Sequence, residues 1–202
     1  QSVECRAHMT HSETYLAETA EIAGCIDVLS IDLIANTIAS LLGTPGRLFI
    51  IGLGGSAANA SHAASDFATL CAINAICLSD NVAEFTASAN DHGWGDAYVR
   101  MLSRRGFGMT DVLLVLSVGG GMDDVSQPLV KAIEYANQPE VNAMVLGIVG
   151  RDGGYLAIHA HYCVIVPTVE PSRVTPHTEG WQSVILHCLV SHPKLQIVRT
   201  KW

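Results

Sequence analysis

Charge is scarce in this chain of 202 residues: charged side chains make up 15%, against 49% hydrophobic. A solitary monomer usually carries more charge on its surface, so the scarcity predicts that some apolar faces are covered by sister subunits. Positive charge is scarcer still. Only 11 Lys and Arg stand against 19 Asp and Glu, for a net charge of −8, and no stretch gathers enough of them to neutralise a run of phosphates. Nucleic acid is thereby excluded as a direct partner. No apolar run approaches the roughly 20 residues needed to cross a bilayer, and the opening "QSVECRAHMTHSETY" has no hydrophobic signal core. The expectation is a soluble cytoplasmic protein with no membrane partner. Six cysteines (Cys5, Cys25, Cys71, Cys77, Cys163, Cys188) lack the spacing of a zinc ribbon or a small disulfide framework and read as reduced thiols.

What is present is an alternation of apolar runs and helical periods. From 12 to 42, Leu16, Ala20, Ile22, Ile26, Leu29, Ile34, Ile38 and Leu42 recur at helical spacing, predicting one long helix or two with a break near Ser30. "GTPGR" (43–47) ends that region. Strands are then expected at 48–53, 74–79, 111–117, 142–150 and 161–167. Helices are expected from about 56, through Phe85 and Tyr98, from 123 to 136 and from 179 to 190. Val, Ile and Leu runs with little polar alternation suit strands buried on both faces, as in a parallel sheet covered by helices. The fold class is therefore a three-layer α/β sandwich, mostly parallel and doubly wound, with an N-terminal helical extension (1–46) ahead of the main domain (47–202).

Such sheets bind ligands where strand ends lead into helix N-termini. Two strands here end in glycine-rich turns, "GLGGS" (52–56) and "SVGGG" (117–121), and both should face one crevice. Gly52, Gly54 and Gly55 permit backbone angles closed to other residues, and Ser56 opens a helix whose first N–H groups lack partners, so the turn suits an anion. A tight turn with a serine cap is the plainer alternative. Ala57 replaces the third glycine of the dinucleotide fingerprint, and no P-loop lysine follows. At the second turn, Asp123 and Asp124 stand at the expected helix start, either as caps or as groups that would oppose a phosphate.

His62 and Asp66, four apart, share a face of the helix that follows "GLGGS"; Glu179 and His187, eight apart, share a face of the last helix. Two imidazoles and two carboxylates suit a divalent metal such as zinc, or a general acid and base. Each pair alone also reads as a surface or buried structural contact.

"GLGGSAANASHAASD" (52–66), "LSDNVAEFTASANDHGWGDAYVR" (78–100), "GIVGRDGG" (147–154) and "EGWQSVILHCLV" (179–190) resemble, in the same order, segments of the sugar isomerase (SIS) domain family. The resemblance is to its phosphoheptose isomerase branch and to a relative, the DnaA initiator-associating protein, and it covers nearly the whole chain. It implies a flavodoxin-like sandwich, a homotetramer with sites at subunit interfaces and, in many members, a metal site. The branch's metal and acid-base set falls on His62, Asp66, Glu179 and His187, with aspartate for its glutamate and glutamate for its glutamine. Asp66 reaches roughly 1.5 Å less far than glutamate would. The branch's serine- and threonine-rich phosphate clamp is reduced to Ser117, with Val118, Gly119 and Met122 at hydroxyl positions. The branch's arginine just before the last-helix glutamine is also absent. "ND" at Asn90 and Asp91 matches a pair near the family's active crevice, Asp91 reading equally as a turn-stabilising residue.

The expectation that follows is ketose–aldose isomerisation of a sedoheptulose 7-phosphate-like sugar through an enediol. Asp66 would be the base, His187 the acid for the oxygens, and zinc would sit on His62, Asp66, Glu179 and His187. Gly54, Gly55, Ser56, Asn90, Asp91, Ser117, Gly119, Gly120 and Thr175 would hold the sugar. The eroded clamp leaves two rivals open: a tetramer that binds a sugar phosphate or a protein partner without turnover, and an isomerase of a different polar sugar.

Overall fold

The computed structural model describes residues 9–122 and 124–199. Two helices lead, α1 (His11–Cys25) and α2 (Val28–Ala39). Thr10 and Glu13 form a reciprocal capping box at the start of α1, Glu13 Oε2 accepting from the Thr10 N–H at 2.7 Å. The Asp27 carboxylate accepts from the N–H groups of Leu29 and Ser30 at 3.0 and 3.3 Å. That cap starts a new helix, so the chain breaks at 26–27 rather than near Ser30, and the two axes bend by 69°. Among the described residues no single helix is long and apolar enough to cross a membrane.

Beyond them the chain runs β1 (Leu48–Ile51), α3 (Gly55–Cys71), β2 (Ala75–Cys77), α4 (Val82–His92), α5 (Ala97–Arg104), β3 (Val112–Ser117), α6 (Gln127–Ala136), β4 (Met144–Val149), α7 (Gly154–His159), β5 (Tyr162–Ile165) and α8 (Val174–Val190). All strand pairs are parallel, in the order β2-β1-β3-β4-β5. Alternate strand residues feed opposite layers. Leu48, Ile50, Leu114 and Ile148 pack with α2, α3 and α8, whereas Phe49, Ile51, Leu113 and Val145 pack with α5 and α6. Each fully buried side chain of this size contributes about 1.5–3 kcal/mol, and burial on both faces explains the unbroken apolar runs. The fold is the doubly wound sandwich expected.

Further helices differ from expectation. The last helix begins at Val174, five residues before Glu179, because Pro176 sits in its first turn, where the missing N–H has no helical partner to lose. The helix expected from 123 begins at Gln127, behind Ser126 at φ 60°. Asp124 thus lies outside its first turn, and Asp123 falls outside the described residues. The six residues of α7 were not anticipated, being too few to show a period.

α1 is latched to the start of α8. Arg173 donates from Nε to Glu18 Oε2 at 2.8 Å and from Nη2 to Oε1. His177 Nε2 lies 2.8 Å from Oε2, and the Tyr15 ring stacks on His177 at 4.4 Å. Hydrogen bonds from Arg173, then from His177, hold the Glu18 carboxyl down at about 2. The folded state favours the charged form, so this contribution is complete above about pH 4.5 and is lost as the pH falls toward about 2. Amide exchange across α1 should rise over that window, and in Glu18→Gln it should already be raised at pH 7. Identical α1 protection in parent and variant at pH 7 would remove the latch.

Candidate functional site

At β1 and β3 the winding of the sheet changes direction, since the chain leaves β1 for α3 on one face and leaves β3 for α6 on the other. The two carboxyl ends part there and open a crevice. The first turn is drawn tight: a Cβ at Gly52 would stand 2.6 Å from the Ser56 carbonyl oxygen, and Gly54 takes φ 59° as the residue ahead of α3. The second loop is zipped to its neighbour. Ser117 Oγ accepts from the Gly120 N–H at 3.0 Å, the Gly150 N–H donates to Val118 O at 3.1 Å, and the N–H groups of Tyr155 and Leu156 donate to Gly121 O and Gly120 O, each at 3.0 Å.

Between these turns lies a cleft of about 240 Å³ lined by Leu53, Ser56, Ser117, Val118, Gly119, Gly121, Met122, Val125, Ser126, Arg151 and Thr175. Both glycine-rich turns therefore do face one crevice. Ser56, Ser117, Gly119 and Thr175 reach it. Gly120 is turned against Gly153 with its N–H engaged by Ser117, and Asp124 is exposed and absent from the walls. Asn90 and Asp91 are not brought to the cleft: they sit exposed on the last turn of α4, Asn90 Nδ2 donating to Asp91 Oδ1 at 3.0 Å. Arg151 was missed from the sequence. Its one available signal was a cation directly after an apolar strand, in "GIVGRDGG".

α3 packs along α8, and the contact gathers three of the four expected ligands. Asp66 Oδ2 lies 3.3 Å from His62 Nε2 and 3.8 Å from His187 Nε2, and the two imidazoles meet edge to face at 5.1 Å. His62 and His187 are 57% and 55% exposed and Asp66 23%, so solvent reaches the cluster. His187 Nδ1 stands 2.9 Å from the Ser183 carbonyl. A carbonyl only accepts, so the proton is on Nδ1 and the lone pair of a neutral ring sits on Nε2, facing a carboxylate. Two acceptors so opposed call for a proton or a cation between them.

One donor atom from each of the three residues lies within 4.8 Å of the others. Ligands on bonds of about 2.0–2.1 Å at tetrahedral angles stand roughly 3.4 Å apart, so the donor set and its spacing fit a divalent ion such as zinc. Glu179 is not in this group. Two turns up α8, its carboxylate lies where a Gly55 side chain would stand, 2.5 Å from that Cβ position, and its carbonyl accepts from Asn59 Nδ2 at 2.9 Å. Gln182 fixes the same corner, accepting from Asn59 at 3.1 Å and donating to Ser117 O at 3.1 Å, which ties α3, α8 and the β3 loop together. From Ser56 at the cleft to His62 is about 9 Å along α3, six residues at 1.5 Å each.

Residues 15–150 match the model of the SIS domain family. A phosphoheptose isomerase of Chlorobaculum tepidum is 34% identical over 140 residues, 66% of this chain and 64% of that protein. The phosphoheptose isomerase of Rhodospirillum rubrum is 30% identical over 160 residues, 77% of this chain and 79% of that one. The chain thus spans just under two thirds of the length of the first relative and more than three quarters of the second. The solved structure of phosphoheptose isomerase GmhA from Neisseria gonorrhoeae superposes with a TM-score of 0.74 over 88% of this chain and 93% of that one, at 24% identity, a likeness of fold. The chain belongs to the SIS domain family, in its phosphoheptose isomerase branch.

Proposed function

We propose that the chain isomerises a sedoheptulose 7-phosphate-like ketose to the aldose. The observation that carries this is Asp66 held between two imidazoles on the helix that opens at the anion-suited cleft, His62 standing about 9 Å and Asp66 about 15 Å along α3 from Ser56. A seven-carbon chain ending in a phosphate spans a similar roughly 9 Å at about 1.25 Å per bond. With the phosphate in the cleft, the sugar extends along α3 toward His62, the near edge of the cluster.

Asp66 then removes a proton from C1, and the C2 carbonyl becomes an enediol; returning the proton to C2 completes the aldose. Asp66 Oδ1 accepts no hydrogen bond among the described residues, which leaves it open to the substrate. The oxygens are served in one of two ways. His62, Asp66 and His187 would hold zinc, and such an ion when bound polarises a carbonyl as a Lewis acid. Without an ion, His187 Nε2 gives a proton to O2 and takes one from O1. Self-association of this cytoplasmic enzyme, as a homotetramer, would use the extension at 1–46, where Leu16, Val28 and Leu29 are each about two-thirds exposed.

Elemental analysis of protein purified without chelator, beside an assay of sedoheptulose 7-phosphate conversion, tests the proposal. Conversion is expected, with about one zinc per chain in the parent and none in a His62→Ala/His187→Ala double variant. A parent that leaves the sugar unchanged, with and without added zinc, overturns the substrate assignment. Conversion by a metal-free parent keeps the acid-base reading and removes the ion.

A further inference from the structure

The cleft has lost the hydroxyls of a serine clamp, yet it has a cation that the sequence did not advertise. Arg151 follows β4 by one glycine and lines the cleft with Ser56, Ser117 and Gly119. Its Cδ and Nη1 are both 3.8 Å from the position a Gly119 Cβ would take, so the side chain lies back across the β3 loop.

Four other basic side chains are committed to carboxylates: Arg47 to Asp111, Arg105 to Glu84, Arg173 to Glu18 and Lys131 to Asp96. Arg151 has no ion pair or hydrogen bond among the described residues. The adjacent Asp152 forms no ion pair with it among the described residues; its Oδ1 accepts from the Gly154 N–H at 3.2 Å. In a chain of net charge −8, an unneutralised guanidinium in a crevice is a local reversal of sign.

The backbone of Arg151 makes the case sharper. It sits at φ +52°, in a turn closed by the Gly153 N–H donating to Gly150 O at 3.0 Å. Glycine enters that left-handed region freely and residues with a Cβ do so at a cost. An arginine at a position that suits glycine is better explained by what its side chain does than by what its backbone prefers.

We propose that Arg151 is the anion-recognising residue of this cleft and sets its preference for a phosphorylated sugar over a neutral one. The planar fork of a guanidinium matches two phosphate oxygens at once, which several lost hydroxyls would otherwise have done singly. Ser56 and Thr175 complete the polar lining, and Gly119 lies beneath the guanidinium. This proposal rests on the isomerase reading for the identity of the sugar but not for the binding of the anion.

The test compares the parent with Arg151→Gly and Arg151→Lys in two measurements: calorimetric binding of inorganic phosphate, and kcat and KM for sedoheptulose 7-phosphate. Arg151→Gly relaxes the backbone, so its melting temperature should equal or exceed that of the parent. Phosphate affinity should weaken and KM should rise, each by roughly 10- to 100-fold, with the loss falling on KM more than on kcat. Arg151→Lys should recover part of both, a rescue that a merely structural role would not give. Turnover by the parent with KM unmoved in a folded Arg151→Gly overturns the arginine assignment and leaves the isomerase. Phosphate binding lost in Arg151→Gly, from a parent that never converts the sugar, keeps the arginine and overturns the isomerase. A parent that neither binds phosphate nor converts the sugar overturns both.

Discussion

Asp66→Asn is expected to lower kcat/KM for sedoheptulose 7-phosphate by roughly 10³- to 10⁴-fold, about 4–5.5 kcal/mol of transition-state stabilisation. The substitution preserves shape and removes both the proton-accepting oxygen and the negative charge that His62 and His187 share at 3.3 and 3.8 Å. Little else should change. Both imidazoles are more than half exposed, so neither becomes a buried unpaired charge, and the melting temperature should stay within about 4 °C of the parent, the shift of roughly 1 kcal/mol in a chain this long. KM should move by no more than a few-fold, because the proposed phosphate site at Ser56 lies about 15 Å away along α3. Asp66→Glu is the informative partner. It keeps a carboxylate on a side chain roughly 1.5 Å longer, and should retain measurable turnover where asparagine does not. Equal activity in Asp66→Asn and the parent would show that the carbon-bound proton is moved elsewhere.

The layers of this fold were legible because each strand is buried on both faces. Leu48 to Ile51 and Val112 to Ser117 are fully lined by apolar neighbours, so their sequences carry no polar alternation to confuse them with a half-exposed strand. Helix starts were read less well, because they depend on single side chains. Asp27 breaks the leading helix by capping a new one, and Pro176 hides the start of the last helix because proline is tolerated in a first turn. The site divided along the same line. His62 and Asp66 could be paired from helical spacing, and the α3–α8 packing brings His187 to them. Spacing could also place Glu179 on the face of His187, but not tell how far along the helix its carboxylate is drawn, here to Gly55. Arg151 was invisible for a different reason: its position depends on β3 and β4 being neighbours, which is a property of the sheet order and not of any local pattern.

Sheet order also makes Gly120 of the second loop a structural necessity, and Gly120→Ala tests this. Gly120 sits at φ +74°, and a Cβ there would be driven into the carbonyl of Gly153, with the Gly154 Cα only 3.1 Å away. Both neighbours are backbone, so no side chain can swing aside. The loop would have to lift from the β4–α7 turn, straining the hydrogen bonds from Tyr155 and Leu156 and the one between Gly120 and Ser117. At about 1 kcal/mol net for each bond, with 1–2 kcal/mol for the left-handed backbone, the loss is about 4–5 kcal/mol. In a chain of this length that is a fall in melting temperature of roughly 10 °C. Gly119→Ala is the control one residue away, since its Cβ would meet only the Arg151 side chain, at an ordinary 3.8 Å, and its φ is not positive. It should melt within about 2 °C of the parent, an effect below 1 kcal/mol. If the two alanines melt alike, the loop is not clamped as described. If Gly120→Ala alone collapses, Gly120 serves first to let two loops touch, and the cleft exists because they do.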